Sequence, residues 1–455
     1  MPSTTAQRVS KENHLHELQA VISGGAMLRA GRMLEALQAA EVAHLLESLP
    51  LGQRELLWAL VKERGGEGEV LLHVTDEVRD GLISDMNPAQ LIAATEGLAT
   101  DDLADLVKGL PQAITQEVMG SLDHQNRDRL EKVLFYPEDS AGGLMNVDTV
   151  TVRAEVTLYV VIRYLRQLRD RMPADTDSLF VVNRDGSYLG VITLAALLTH
   201  DPDDSVAEVM SLDRRPIQAD WSSREVANRF EKHDLVSAPV VDDLGHLLGR
   251  ITIDDVVDVI REEGEHQFMG QAGLSEGEDM FAPVLVSARR RALWLGVNLM
   301  TAFLASWVIG QFEATLSQVV ALAVLMPVVA SMGGVAGSQT LTLAIRGIAL
   351  GQLSYSNIRW LLLKELAVAA INSVIWAAVV ALVAGLWFQS TNIAMLIAVA
   401  LSINLMFAAL AGAVLPLMLD RVGIDPALAG GVLLTTVTDV VGFLAFLGLA
   451  GWFLF

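Results

Sequence analysis

Apolar and polar positions follow three different rhythms along this chain. From residue 14 to 134 apolar residues recur at helical spacing, as in EVAHLLESLPLGQRELLWALV and DDLADLVKGLPQAITQEVMGSL, where a leucine-rich stripe is broken by Pro. Short amphipathic helices stacked as hairpins into an all-α superhelical domain follow from that pattern. Between 138 and 262 the rhythm shortens to strand-like apolar runs separated by Gly turns. Beyond 286 the chain is apolar in long blocks. Five of these, at roughly 291–311, 316–345, 363–388, 392–419 and 427–454, reach the length of about 20 residues that crosses a bilayer.

Charge sharpens the membrane reading. Residues 286–455 hold seven of the 32 basic and five of the 54 acidic side chains, so residues 1–285 carry 25 against 49, a formal charge of −24. A strongly acidic polar part therefore precedes a nearly neutral apolar one, consistent with 52% hydrophobic residues and a mean hydropathy of +0.42. Arg289, Arg290 and Arg291 precede the first span, Arg346, Arg359 and Lys364 lie between the second and third, and Arg421 lies between the fourth and fifth. With five spans all seven fall on one side, which the positive-inside rule makes cytoplasmic, with the C-terminus outside. The opening MPSTTAQRVSKEN has no apolar signal region, so the acidic part is expected in the cytoplasm. The acidity argues against nucleic acid, which needs basic patches, and favours cations. Solubility alone also explains an acidic surface. Without cysteine there is neither a disulfide nor a thiolate metal site.

Two spans carry chemistry. In the second, Pro327 removes a backbone donor and is expected to bend the helix. Gly333, Gly334 and Gly337 permit close backbone approach, either for plain helix packing or for a pore helix. Ser338, Gln339, Thr340 and Thr342 follow and should face protein or water. In the fifth, Asp439 lies about 18 Å into the span, near mid-bilayer. No Lys, Arg or His lies deep in any span to pair with it. Helical spacing puts Thr435, Thr436, Asp439 and Gly442 on one stripe. Hydroxyls, carbonyls and a carboxylate suit a hard cation along a path. The alternative is a protonated Asp hydrogen-bonded inside the bundle.

The middle of the chain contains a repeat. Val181-Val182, Gly186, Gly190 and Thr193 recur as Val240-Val241, Gly245, Gly249 and Thr252, at a constant offset of 59. Each copy reads strand, Gly turn, strand, Thr, helix, and opens on an apolar-Met pair, Leu144-Met145 and Val209-Met210. This α/β arrangement resembles a tandem CBS pair, a module that often binds adenine nucleotides. In such modules a Thr and an acid three residues later hold the ribose and phosphate region. Thr252 and Asp255 match, whereas Thr193 is followed by Ala196, so at most one ATP or related nucleotide per chain is expected. Acids crowd the stretch after the repeat: Asp254, Asp255, Asp258, Glu262, Glu263 and Glu265, then Glu276, Glu278 and Asp279. Asp101, Asp102 and Asp105 cluster at a helix start upstream, where acids are also ordinary helix-start chemistry. Packed like charges repel, so the stretch after the repeat should loosen without cations and tighten with them, the alternative being a solvated acidic helix.

Together PEDSAGGLM, the CBS pair, ITIDDVVDVI, GGVAGSQTLTLAIR and DPALAGGVLLTTVTDVVG resemble the MgtE family across nearly the whole chain. The resemblance implies a helical cytoplasmic domain (1–134), the CBS pair (135–262), a connecting plug helix (263–285) and a five-helix transmembrane domain (286–455). It implies a homodimeric magnesium channel or transporter of the bacterial inner membrane, closed by cytosolic Mg²⁺. Asp439 matches the residue that binds the permeating hydrated ion, and Asp254, Asp255, Asp258 and Glu263 fall in the region that binds regulatory Mg²⁺. The chain departs from common family residues at Val335, Ser338, Gly431-Val432, His266 and Gln267. Passage of Co²⁺ or Mn²⁺ and a non-transporting membrane Mg²⁺ sensor are the rival readings. A membrane zinc protease is disfavoured, because all nine His lie before residue 267 and no HExxH occurs.

Overall fold

Short helices, two small sheets and long apolar helices follow one another along the chain, each formed where its rhythm demands. The computed structural model describes residues 21, 26–169, 172–173, 176–274, 277–354 and 356–453, without the side chains of Gln112 and Ala113. Two compact units emerge: the chain up to Glu263 with Gly277–Pro283, and Gly264–Glu276 with Val284–Phe455.

The first unit begins with α1 (Met27–Leu34), α2 (Ala39–Glu47), α3 (Leu51–Arg64), α4 (Glu67–Leu72), α5 (Asp76–Ser84), α6 (Pro88–Thr95), α7 (Thr100–Lys108), α8 (Gln112–Ser121), α9 (His124–Leu134) and α10 (Ala141–Leu144). Their ends are set locally. Before α6, Asn87 Oδ1 accepts from Gln90 N at 2.9 Å and Gln90 Oε1 accepts from Asn87 N at 3.0 Å, with Pro88 opening the helix. Trp58, Leu46, Leu71, Leu91 and Leu106 from successive helices share one buried core, as a helical stack requires.

The repeat folds twice in the same way. Strands β1 (Thr151–Arg153), β2 (Ser178–Val182) and β3 (Tyr188–Thr193) form one sheet, with β1 parallel and β3 antiparallel to β2. Helices α11 (Leu158–Gln167) and α12 (Leu194–Thr199) complete that copy, and α13 (Val206–Val209) opens the next. Strands β4 (Ile217–Gln218), β5 (Ser237–Val241) and β6 (Leu247–Thr252), with α14 (Ser223–His233), repeat the arrangement. Ser178 pairs with Thr193 as Ser237 pairs with Thr252, and the bulges fall at the matching Val181/Val182 and Val240/Val241. Ser178 Oγ and Ser237 Oγ touch at 3.2 Å, joining the copies at equivalent residues.

Helix α15 spans Ile253–Gly270. It corrects the expected connecting helix of 263–285: it starts inside the repeat region, and turns and irregular backbone occupy 271–274 and 277–283.

The second unit holds five helices long and apolar enough to span a membrane: α16 (Val284–Gly310), α18 (Val320–Ala349), α19 (Ile358–Phe388), α20 (Thr391–Val422) and α21 (Pro426–Phe453), with the short α17 (Glu313–Gln318) between the first two. Helix α20 lies at the centre, packed against α18, α19 and α21. Helix α18 runs unbroken through Pro327. Its glycines divide by face. A Cβ on Gly337 would meet the Leu434 side chain at 2.9 Å, and one on Gly412 would meet the Gly337 carbonyl at 2.6 Å, so α18, α20 and α21 approach closely there. Gly334 faces nothing within 4 Å in the single chain.

Candidate metal-ion sites

Asp439 stands halfway along α21, half-buried. Among the described residues none donates a hydrogen bond to its carboxylate or forms an ion pair with it. The neighbouring hydroxyls are already engaged with their own helix. Thr435 Oγ1 donates to Val432 O at 3.0 Å, Thr436 Oγ1 to Val432 O at 2.7 Å, and Thr438 Oγ1 to Thr435 O at 3.1 Å. Thr435 is exposed in the single chain, Thr436 is half-buried, and Thr438 and Gly442 are buried. The expected stripe therefore turns one end outward and the other into the bundle.

Helix α18 shows a matching feature. Val335, Ser338, Gln339, Thr342 and Leu343, with Gly334, line an open groove on its surface, and Ser338, Gln339 and Thr342 are exposed. Polar side chains exposed on a membrane-crossing helix need a partner or water, since lipid offers no hydrogen bonds.

Two intramembrane polar residues escaped the sequence reading. Glu365 of α19 is 5% exposed; it accepts from Thr340 Oγ1 at 3.1 Å, and Lys364 Nζ lies 3.2 Å from its other oxygen. Asn404 of α20 is fully buried and donates to Val329 O at 2.8 Å. Membership of a span hid Glu365, which follows Lys364 at the charged end. A lone Asn in an apolar run was the signal for Asn404.

The acidic clusters of the first unit meet as the sequence anticipated for some residues and not for others. Asp101, Asp102 and Asp105 open α7, and Asp254, Asp255 and Asp258 lie on α15. Burial pushes Asp255 up to about 8, with the nearby charges of Asp101 and Asp254 adding to it. Burial likewise raises Asp102 to about 7, reinforced by Asp101, Asp105, Asp254 and Asp258. Burial raises Asp101 to about 6, although Asn146 Nδ2 donates to it at 3.0 Å. Asp105 and Glu262 are raised by burial too, Glu262 with help from Asp258 and Asp76. Among the described residues no three His, Asp or Glu converge on one metal position. The cluster is a shared negative field rather than a finished ligand shell, and it suits a cation that keeps its waters.

Other acids are neutralised within the protein. Glu263 faces Arg224, whose Nη2 reaches both carboxylate oxygens at 2.7 and 2.9 Å. Asp279 is held in a buried fork by Arg54 at 2.6 and 3.0 Å, both side chains 5% exposed. Burial alone would raise the Asp279 carboxyl, but the Arg54 and Phe281 donors and the Arg54 charge hold it below its usual range. Glu276 lies outside the described residues. In the second unit His266, near the end of α15, pairs with Asp425 just before α21.

The Thr252–Asp255 pair of the nucleotide expectation lies in acidic surroundings. Asp255 Oδ2 accepts from Thr252 Oγ1 at 3.0 Å and from Thr252 N at 3.3 Å, so the pair closes on itself and faces the acids of α7. Those surroundings disfavour phosphate, whereas ribose hydroxyls can donate to the carboxylate. A cavity of about 340 Å³ lies elsewhere in the repeat, lined among others by Arg214, Arg215, Arg229, His233 and Ser237. Arg214 is already tied to Asp177 at 3.3 Å, whereas Arg229 Nε is buried with no hydrogen-bond partner.

Five apolar helices long enough to span a membrane, one with a carboxylate at its middle, preceded by a pair of α/β repeats and an acidic helical stack, point to the class of membrane cation transporters. Residues 326–449 match the MgtE family, described as a divalent cation transporter, residues 37–139 match the MgtE intracellular N domain, and 141–203 and 206–262 match CBS domains. The magnesium transporter MgtE of Thermus thermophilus is 31% identical over 442 residues, 95% of this chain and 97% of that protein. That of Bacillus subtilis is 28% identical over 363 residues, 79% of this chain and 80% of its own length. A crystal structure of the cytosolic domain of the Mg²⁺ channel MgtE in complex with ATP is 31% identical, with a TM-score of 0.48, covering 54% of this chain and 99% of that one. The chain belongs to the MgtE family of magnesium transporters.

Proposed function

We propose that two copies of this chain form a Mg²⁺ pathway, with the Asp439 carboxylates of both brought to a shared axis. The observation that carries this is Asp439 itself: an acid at mid-span with no partner among the described residues, and a polar groove on α18 in the same unit that a second copy would cover. A carboxylate at that depth costs a few kcal/mol, and a passing cation offsets it. Mg²⁺ sheds water reluctantly, so contact would run through its hydration shell to Asp439, to Thr435 and Thr436 and to carbonyls. The basic residues at the ends of α16, α18, α19 and α20 favour a cytoplasmic N-terminal part and an outward C-terminus in the bacterial inner membrane. Transport, not catalysis, is the activity in this reading.

Gating follows by linkage. Cytosolic Mg²⁺ bound with its waters among Asp101, Asp102, Asp105, Asp254, Asp255 and Asp258 relieves their repulsion and favours the compact state. Mg²⁺ flux through the reconstituted protein, with and without Mg²⁺ on the sensor side, tests both parts. Flux that falls as sensor-side Mg²⁺ rises is expected; no flux of any divalent ion leaves a non-transporting sensor. Excess Mg²⁺ should suppress Co²⁺ and Mn²⁺ uptake, and failure to do so favours the rival ions. An adenine nucleotide such as ATP would lie in the Arg214–Arg229–Ser237 cavity with its phosphates on the free guanidinium. Loss of ATP binding in Arg229→Ala checks that assignment.

A further inference from the structure

We infer that Asn404 is a positioning residue of the ion pathway: its amide sets the spacing of α18 and α21, and with it the place of Asp439 beside the polar face of α18. The inference rests on the reading of Asp439 as the ion-binding group. Asn404 sits near the middle of α20, with no exposed surface. Its Nδ2 donates to Val329 O on α18 at 2.8 Å, while Oδ1 is buried without a hydrogen-bond partner. A buried amide left half-satisfied is costly, and an aliphatic side chain would fill such a space without that cost.

The surroundings explain what the amide does there. A Cβ on Gly333 of α18 would lie 2.2 Å from Nδ2, and one on Gly442 of α21 would lie 2.8 Å from it. The amide is therefore wedged between two glycines on two different helices, and its Oδ1 is left buried without a donor. Gly442 lies one turn beyond Asp439, and Gly333 opens the segment that carries Ser338, Gln339 and Thr342. One planar group thus spans the gap between the helix bearing the carboxylate and the helix bearing the polar groove, at the depth of the carboxylate. Metal–water distances differ between Mg²⁺ and Ca²⁺ by about 0.2–0.6 Å, so the hydrated ions differ in radius by as little, and discrimination depends on spacing held to that precision.

The test is the ratio of Mg²⁺ to Ca²⁺ flux in liposomes, per inserted protein, for the wild-type chain, Asn404→Ala and Asn404→Gln. Truncation removes the spacer and the added methylene displaces it, so both should lower the ratio by about tenfold, the effect of an interaction of about 1.4 kcal/mol. A side chain that merely packs would lower the flux of both ions together and leave the ratio unmoved, which overturns the inference. If Asn404→Ala does not insert, Asn404→Gln reads the same ratio. The Ala variant paired with Gly442→Ala, which removes the amide that an added Cβ would strike, should insert better than Gly442→Ala alone; no such rescue also counts against the wedge. Wild-type protein that carries no Mg²⁺ would instead sink the transport reading, a separate outcome.

Discussion

The two units hold their acidic side chains in opposite ways. In the membrane unit one carboxylate, Asp439, stands alone at the middle of its helix, and its difficulty is the loss of water. In the first unit many carboxylates stand together on α7 and α15, and their difficulty is burial with one another's charge. A divalent cation would ease both, so the proposed function lets one ion serve as cargo and as signal. Asp279 supplies the contrast within the first unit, since Arg54 already neutralises it. Acids that the protein pairs for itself hold the fold, and in the proposed reading Asp439, Asp102 and Asp255, which have no basic partner at ion-pair distance among the described residues, are compensated by a metal.

The largest stability effect should come from the paired acid. Arg54→Ala strands a buried carboxylate and should destabilise the first unit by about 3–5 kcal/mol, read as a fall in its thermal midpoint in the full-length protein. A well-packed apolar pair at 54 and 279 should cost far less. The unpaired acids should respond with the opposite sign. Asp102→Asn with Asp255→Asn should raise the midpoint in divalent-free buffer by roughly 2–8 °C, the response of a domain of this size to about 1–2 kcal/mol. The double variant should also lose most of the stabilisation that added Mg²⁺ gives the wild type. No Mg²⁺ response in the wild type would remove the sensor account.

The pH dependence divides the same way. Asp101, Asp102 and Asp255 are raised to about 6, 7 and 8, so the stability tied to their protons is present below the usual carboxylate range and is lost as pH rises from about 4 to about 8. Saturating Mg²⁺ should flatten that slope. Asp279 is depressed, so its contribution disappears only in acid, below the usual carboxylate range. Thermal midpoints of the full-length protein from acid to about pH 8 measure both arms. The smallest effect belongs to Glu155→Ala, since Glu155 and Arg184 are exposed partners at 3.5 Å and such pairs contribute little.

Much of this was legible from residues alone. Five spans, the repeat with its matching register and the isolation of Asp439 follow from hydropathy, spacing and charge. What remained hidden depends on partners far apart in sequence. Nothing near Arg54 announces Asp279, and nothing near Asn404 announces Gly333 and Gly442. Thr252 and Asp255 carried the pattern of a nucleotide site, yet their surroundings are acidic because α7 packs nearby, which no local motif records. The end of α15 at Gly270 was missed because acidic composition continues past it while the helix does not.

The most direct measurement is Mg²⁺ uptake by liposomes containing Asp439→Ala, compared with wild type at equal inserted protein and with the sensor side free of Mg²⁺. The account predicts that the variant inserts and assembles normally but carries no Mg²⁺ above empty liposomes. Uptake at the wild-type rate would contradict it, because the ion would then cross without the one charge the membrane unit places in its middle.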